Sequence, residues 1–273
     1  MLLRDDDAVL AEARATTQRA ARTFALACRL LPAAIRDDVY RLYLVFRTLD
    51  DLVDDGLPDA EARVAAVEAW CDGRPGTRTR EVAILETLAR RHPLPRAALH
   101  EFCAGMRSDL QRESFADEAA VDRYCYRVAG TVGVVMSAVL GTSDERAARP
   151  AAAALGMAMQ RTNILRDIDE DLAHGRVYLA RETVARHGGS LVPGRRAALL
   201  RDQIARADAL YDDGLAGVAL LRNGRRAVAA AGAMYREILR QIERDGYGAR
   251  PGRAVVPQRR KLAIAARRAA LSR

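Results

Sequence analysis

Apolar residues recur at intervals of three and four through most of this chain, the spacing that lines one face of an α-helix. Helices are predicted over 7–31, 34–55, 60–71, 80–91, 96–113, 117–140, 144–171, 194–222 and 225–245. Pro32, the run Gly56, Leu57 and Pro58, and the run His92, Pro93, Leu94 and Pro95 punctuate them, because proline lacks a donor and restricts its predecessor. A tail after Gly246, broken by Pro251, Gly252 and Pro257, leads to a last short basic helix. No fixed-period repeat or low-complexity linker interrupts the pattern, so the expected architecture is all-α, a single domain over 1–273 with a basic tail at 250–273.

Composition supports that expectation. Half the residues are hydrophobic, 29% are charged and only 5% are aromatic, and Ala and Leu, which lose little rotamer freedom in a helix, dominate the apolar set. At 273 residues one large domain can bury an ample core. The net charge of +8 comes from arginine, with Lys261 the single lysine. No nucleic-acid reader motif accompanies it, so nucleic acid is not an expected partner. The acid-free stretch 250–273 could instead rest on an anionic membrane surface. Cys28, Cys71, Cys103 and Cys125 lack metal or redox spacing and read as core residues of a reducing compartment. The acidic N-terminal segment lacks the apolar run of a signal peptide, and the expected location is cytoplasmic or membrane-peripheral. The weakly polar stretch 128–141 is short of the roughly 20 residues a span needs, and reads as a buried helix.

Two segments depart from a bland bundle. Asp50, Asp51, Asp54 and Asp55 crowd one helix end, with like charges at i, i+4, which costs helix stability unless something compensates. Tyr43, Arg47, Asp50 and Asp54 share one stripe, beside an apolar stripe of Leu42, Phe46, Leu49 and Val53. Much later in the chain, Gln160, Asn163, Asp167 and Asp171 repeat that geometry. One such cluster could be a solvated helix end; two can point four carboxylates into a shared space, where hard oxygen ligands suit Mg²⁺ and, with arginines nearby, diphosphate. A di-iron bundle would need two Glu-x-x-His motifs, which His92, His100, His174 and His187 do not supply. His174 reads as a surface or supporting residue rather than a ligand. A third segment, 124–136, places Ala129, Gly130 and Gly133 inside a helix, which implies close approach of another helix or of a ligand.

The segments RTFALACRLLP, DDLVDD, YCYRVAGTVG and NILRDIDEDLAHGRVYL together resemble the squalene/phytoene synthase family, the head-to-head prenyl synthases, in order and spacing. The resemblance implies the all-α class I isoprenoid synthase fold around an apolar cavity, with the acidic clusters facing each other at its mouth. It implies two or three Mg²⁺ ions held by Asp50, Asp54, Asn163, Asp167 and Asp171, with Gln160 lining the same site. Arg47, Arg166, Tyr235 and Arg253 would hold diphosphate, and Thr23, Phe24, Cys28, Tyr40, Tyr43, Tyr124 and Ala129 would line the cavity. Arg161, in place of an apolar residue, puts the shape of the cavity wall in question; Thr23 and Ala180 also depart from the usual serine and proline.

The implied reaction condenses two prenyl diphosphates through a cyclopropylcarbinyl diphosphate. The small Cys28 leaves room for C20 chains and favours phytoene. Three alternatives stay open: a presqualene diphosphate or squalene-type synthase acting on C15 farnesyl diphosphate, a cyclase of a single prenyl diphosphate, and a binding or assembly protein on the same fold. No nicotinamide fingerprint is seen, so NADPH is not an expected cofactor. Chain length and oligomeric state are not written in the motifs.

Overall fold

The computed structural model describes the backbone of residues 2–111 and 113–271. The helices are α1 (Leu2–Ala20), α2 (Arg22–Cys28), α3 (Ala33–Asp54), α4 (Ala60–Cys71), α5 (Arg80–Ala89), α6 (Arg96–Leu110), α7 (Glu118–Cys125), α8 (Thr131–Leu140), α9 (Glu145–Ala173), α10 (Arg181–Arg186), α11 (Ala197–Ala216), α12 (Arg225–Arg244) and α13 (Gln258–Leu271). Among the described residues there is no strand, only an isolated bridge between Thr142 and Leu221. Local chemistry explains several starts: the side chains of Thr79, Asp117 and Asp144 accept from the backbone N–H three residues on, capping α5, α7 and α9.

Four sequence expectations need correction. The helix expected over 7–31 breaks at Ala21 (φ −132°, ψ 60°), which turns α2 and its Thr23 and Phe24 into a separate element. The helix expected over 117–140 opens into a π-turn at Tyr126–Gly130 between α7 and α8. The helix expected over 194–222 ends at Ala216 and tightens into a 3₁₀ turn, Gly217–Leu220. The short α10 was not anticipated, because six residues carry too little periodicity to stand out.

The core divides where the acidic motifs meet. One apolar cluster unites α3, α4, α5, α6 and α8 through residues such as Leu42, Leu49, Val64, Leu85, Phe102 and Val135. A second unites α7, α9, α11 and α12 through Tyr124, Ile164, Leu200, Tyr211 and Leu239. Helix α3 belongs to the first, the motif-bearing half of α9 to the second, and a small group of Ala27, Ala230, Ala231 and Met234 joins α2 to α12. The site thus lies on the seam between two packed halves.

The glycines of 124–136 serve that seam. A Cβ on Gly133 would stand 2.2 Å from the Ala152 carbonyl oxygen, and one on Gly156 would stand 2.1 Å from the Ala129 carbonyl oxygen. The close-approaching body left open by the sequence is therefore α9, and a π-turn rather than a regular helix meets it at Ala129. Gly156→Ala is expected to destabilise the protein by about 1–3 kcal/mol, the usual cost of overpacking, read as a lower midpoint in thermal denaturation followed by circular dichroism.

Candidate active site

Asp50 and Asp54 end α3, and Asp167 and Asp171 lie in the last two turns of α9. Charge on Asp54 pushes up the pKa of Asp50, Asp109 and Asp171 alike, so the two acidic helix ends lie near one another, with α6 contributing Asp109. Burial, then the Asp54 charge, raises Asp50 to about 7. Burial, then Asp167 and Glu170, raises Asp171 to about 6. Asp109 is raised to about 6 by burial, against the opposing hydrogen bond from the Tyr124 hydroxyl.

Arginines supply the compensation this crowding demands. Arg47 donates to Asp50 at 3.1 Å and also pairs with Asp51. Arg166 grips Asp167 with two bonds of 2.7 and 2.6 Å, and Arg253 adds two more to the same carboxylate at 2.7 and 3.1 Å. Arg176, just beyond α9, reaches across to Asp54 at 2.9 Å and to the Tyr178 hydroxyl at 2.9 Å. Gln160 accepts from the Asn163 amide at 3.4 Å, while the Asn163 Oδ1 is buried without a partner among the described residues.

Aromatic and apolar residues adjoin this mouth. Phe24 and Tyr43 pack with ring centroids 5.3 Å apart, and burial pushes the Tyr43 hydroxyl up to about 12. Tyr235 is close enough to influence Tyr43, Arg166 and Tyr211. Tyr124 and Tyr178 stack at 5.3 Å, and both hydroxyls lie within hydrogen-bond reach of Asp109, at 3.0 and 3.5 Å. Thr23 and Ala129 are half-buried. Cys28 is 1% exposed, next to Tyr40 in the first core cluster, and burial drives its thiol up to about 12.

Arg161, which raised the question of the cavity wall, is taken up by a buried polar group. Only 3% exposed, it points into the second half, donating to Glu118 at 2.9 Å, Asp122 at 2.6 Å and Gln203 at 2.9 Å. Sequence reasoning missed Asp109, Arg176, Tyr178 and Lys261. Lys261, assigned with the basic tail, is half-buried, and Arg166 and Arg22 stand near enough to lower its pKa further after burial itself. Asp109 had no motif around it; Arg176 and Tyr178 sat inside the quoted RVYL without a role.

Among the described residues no three His, Cys, Asp or Glu side chains converge tightly enough to hold a metal ion as they stand. The donor chemistry nonetheless fits a hard divalent cation: an orphaned amide oxygen on Asn163 and carboxylates whose mutual repulsion a cation would relieve. A cleft of about 10 Å³ adjoins Asp171, Arg176 and Tyr178, and a larger one of about 250 Å³ lies away from the acids, by Pro93, Val134 and Arg222.

A helical shell with two facing acidic helix ends and a ring of arginines defines the all-α isoprenoid synthase class. The squalene/phytoene synthase family profile matches residues 17–260, and the chain belongs to that family of prenyltransferases. It is 39% identical to a phytoene synthase of Thermus thermophilus, over 82% of this chain and 80% of that one. It is 35% identical to a 15-cis-phytoene synthase of Synechococcus elongatus, over 92% of this chain and 89% of that one. A dehydrosqualene synthase crystal structure superposes with a TM-score of 0.89 at 25% identity, covering 98% of each chain. A squalene synthase of Alicyclobacillus acidocaldarius shares the fold at a TM-score of 0.76, 24% identity, covering 89% of this chain and 96% of that one.

The raised carboxylates set a pH dependence. With Asp50 at about 7 and Asp171 at about 6 in the native state, and about 3.9 for aspartate in the unfolded chain, the unfolded state binds fewer protons throughout that interval. Stability of the metal-free protein therefore falls as pH rises from the unfolded value through the native ones. Melting temperatures measured in chelator across that window are expected to decline in wild type and to decline less in Asp50→Asn.

Proposed function

We propose that this chain joins two C20 geranylgeranyl diphosphates head to head to give phytoene, with Mg²⁺ as its metal. The observation that carries the reading is the pair of facing acidic helix ends ringed by Arg47, Arg166 and Arg253. Relatives that cover most of the chain and bear the name phytoene synthase support the choice of product.

In this reading Asp50, Asp54, Asn163, Asp167 and Asp171 hold Mg²⁺, which when bound neutralises charge on the departing diphosphate. Arg47, Arg166, Arg253 and Tyr235, joined by Arg22 and Lys261, grip the diphosphate oxygens through charge-assisted hydrogen bonds. Phe24, Tyr43, Tyr124 and the half-buried Val128 and Met157 shield the allylic cation from water. The carbon–oxygen bond breaks with its electrons leaving on diphosphate. The second substrate's double bond then attacks the cation, and loss of a proton closes the cyclopropane. A second ionisation, rearrangement and proton loss give the hydrocarbon, with no reductant consumed. Cys28 and Tyr40 form the inner wall, where a small side chain leaves length for C20. The C15 reading is the second choice, favoured by the close superposition on a dehydrosqualene synthase.

Purified protein with Mg²⁺ is expected to turn geranylgeranyl diphosphate into a C40 hydrocarbon identified by mass spectrometry. Asp50→Ala and Asp167→Ala should each lower the rate by about a hundredfold or more, the scale for losing electrostatic stabilisation of a leaving charge. A chelator should abolish turnover and Mg²⁺ restore it. A C30 product from C15 substrate alone would select the second reading, a cyclised monomer would make the protein a cyclase, and no diphosphate release would point to a binding protein.

Among the described residues no helix is long and apolar enough to cross a membrane. We propose peripheral contact with an anionic bilayer through the basic end of the chain, where Val255 is 70% exposed and Leu262 48% exposed beside the exposed Arg259. Arg260 is engaged elsewhere, by Glu237 at 2.6 Å, and Lys261 turns inward. Pelleting with anionic vesicles at low salt is expected, with reduced binding by the double variant Arg259→Glu, Leu262→Asp; binding equal to neutral vesicles would sink the idea.

A further inference from the structure

Asp169 stands between the two aspartates assigned to the metal, yet residues two apart on a helix do not share a face. Its carboxylate points away from Asp167 and Asp171 and takes two bonds from Arg196, at 2.6 and 2.8 Å. Arg196 is 3% exposed, sits at the start of α11, and also donates to the Leu191 carbonyl at 3.0 Å. A third donor completes Asp169: the backbone N–H of Gly252, at 2.7 Å. The very next residue is Arg253, whose guanidinium lies on Asp167.

The turn leading there is shaped around the same arginine. Tyr247 and Gly248 have φ of 55° and 73°, and a Cβ on Gly248 would lie 2.5 Å from the Arg196 Nε. The Gly248 carbonyl accepts from the Gly194 N–H at 2.9 Å, and the Arg201 guanidinium covers the Tyr247 ring at 4.4 Å. Gly252 itself has φ of 100°, so the peptide that donates to Asp169 is set by a residue with unusual backbone freedom. Beyond the turn, Val256 is buried in the second core cluster.

We propose that Asp169, locked by Arg196, is a positioning residue that fixes the segment 246–256 through the Gly252 N–H and so delivers Arg253 to the diphosphate site; this rests on the reading of that site given above. Asp169 touches neither metal nor substrate. One carboxylate, two residues from a ligand and on the opposite face of the helix, converts the rigidity of α9 into the placement of an arginine contributed by a loop more than eighty residues later.

The test is a double-mutant cycle on the full chain, reading the binding of inorganic pyrophosphate at fixed Mg²⁺ by calorimetry. Asp169→Ala and Arg253→Ala are each expected to weaken binding by about tenfold, the lower scale for outer partners of ligand-holding groups. The double variant should bind no more weakly than Arg253→Ala alone, because the first change acts only through the second residue. Binding like wild type in Asp169→Ala, or the same further loss in the Arg253→Ala background, would overturn the proposal. If Asp169→Ala does not fold, Asp169→Asn enters the same cycle under the same criterion. Amide hydrogen exchange supplies an independent reading: faster exchange over 247–256 in the Asp169 variant and not in Arg253→Ala is expected, and unchanged exchange would overturn it. Failure of the wild type to bind pyrophosphate would count against the diphosphate site itself, leaving hydrogen exchange to judge the positioning.

Discussion

Repulsion between carboxylates on two facing helix ends is the constraint around which the rest of this structure is arranged. The charge of Asp54 makes Asp50, Asp171 and, from α6, Asp109 harder to ionise. Such a cluster is stable only with positive charge beside it. Arg47, Arg166, Arg176 and Arg253 provide that charge from α3, α9, the loop after α9 and the segment before α13. Of these, Arg47, Arg166 and Arg253 are the ones the proposed function gives to the diphosphate. In the proposed reading the carboxylates would hold a cation in exchange for the arginines, which would then be free to hold phosphate oxygens.

That exchange needs rigid supports on both sides. Helix α3 is anchored in one apolar cluster and the end of α9 in the other. Along the α8–α9 contact, glycines let backbone meet backbone, and the π-turn at Tyr126–Gly130 lies against Gly156. A π-turn within a helix carries one residue more than a regular turn and re-aims the side chains on either side. Here it follows Tyr124, which stacks on Tyr178 and bonds Asp109. The buried Arg161 group ties α9 to α7 and α11 behind the same wall, with Thr183 of α10 donating to Glu118 at 2.6 Å. A fully buried arginine contributes little net stability unless every partner is kept, so its worth lies in fixing where these helices meet.

Much of this was legible in the sequence because it is written at short range. Helical faces, capping residues and i, i+4 aspartates are properties of neighbours along the chain, and α3 and α9 emerged with their acids on the expected stripes. Arg161, one residue after Gln160, lies about 100° around the helix from it, so helix geometry alone sets it off the stripe of Gln160, Asn163, Asp167 and Asp171. The break at Ala21 and the π-turn had no local signal, since alanine favours helix and the π-turn answers the approach of α9. Asp109, Arg176 and Lys261 were illegible for a different reason. Their significance is a matter of which helices become neighbours, and no spacing within one helix states that.

The charged mouth and the apolar wall also divide the labour of choosing a product. Binding and ionising a prenyl diphosphate requires acids, arginines and metal, and those groups meet only the head of the substrate. In the proposed reading the number of isoprene units that follow would be decided deeper, where Cys28 lies against Tyr40 beside the Phe24–Tyr43 pair. Changes there alter volume without touching charge, and so can change chain length while leaving the ionisation machinery whole. In the proposed reading specificity would thus be a packing property of residues in α2 and α3, and catalysis an electrostatic one of residues drawn from α3, α9 and the segment before α13.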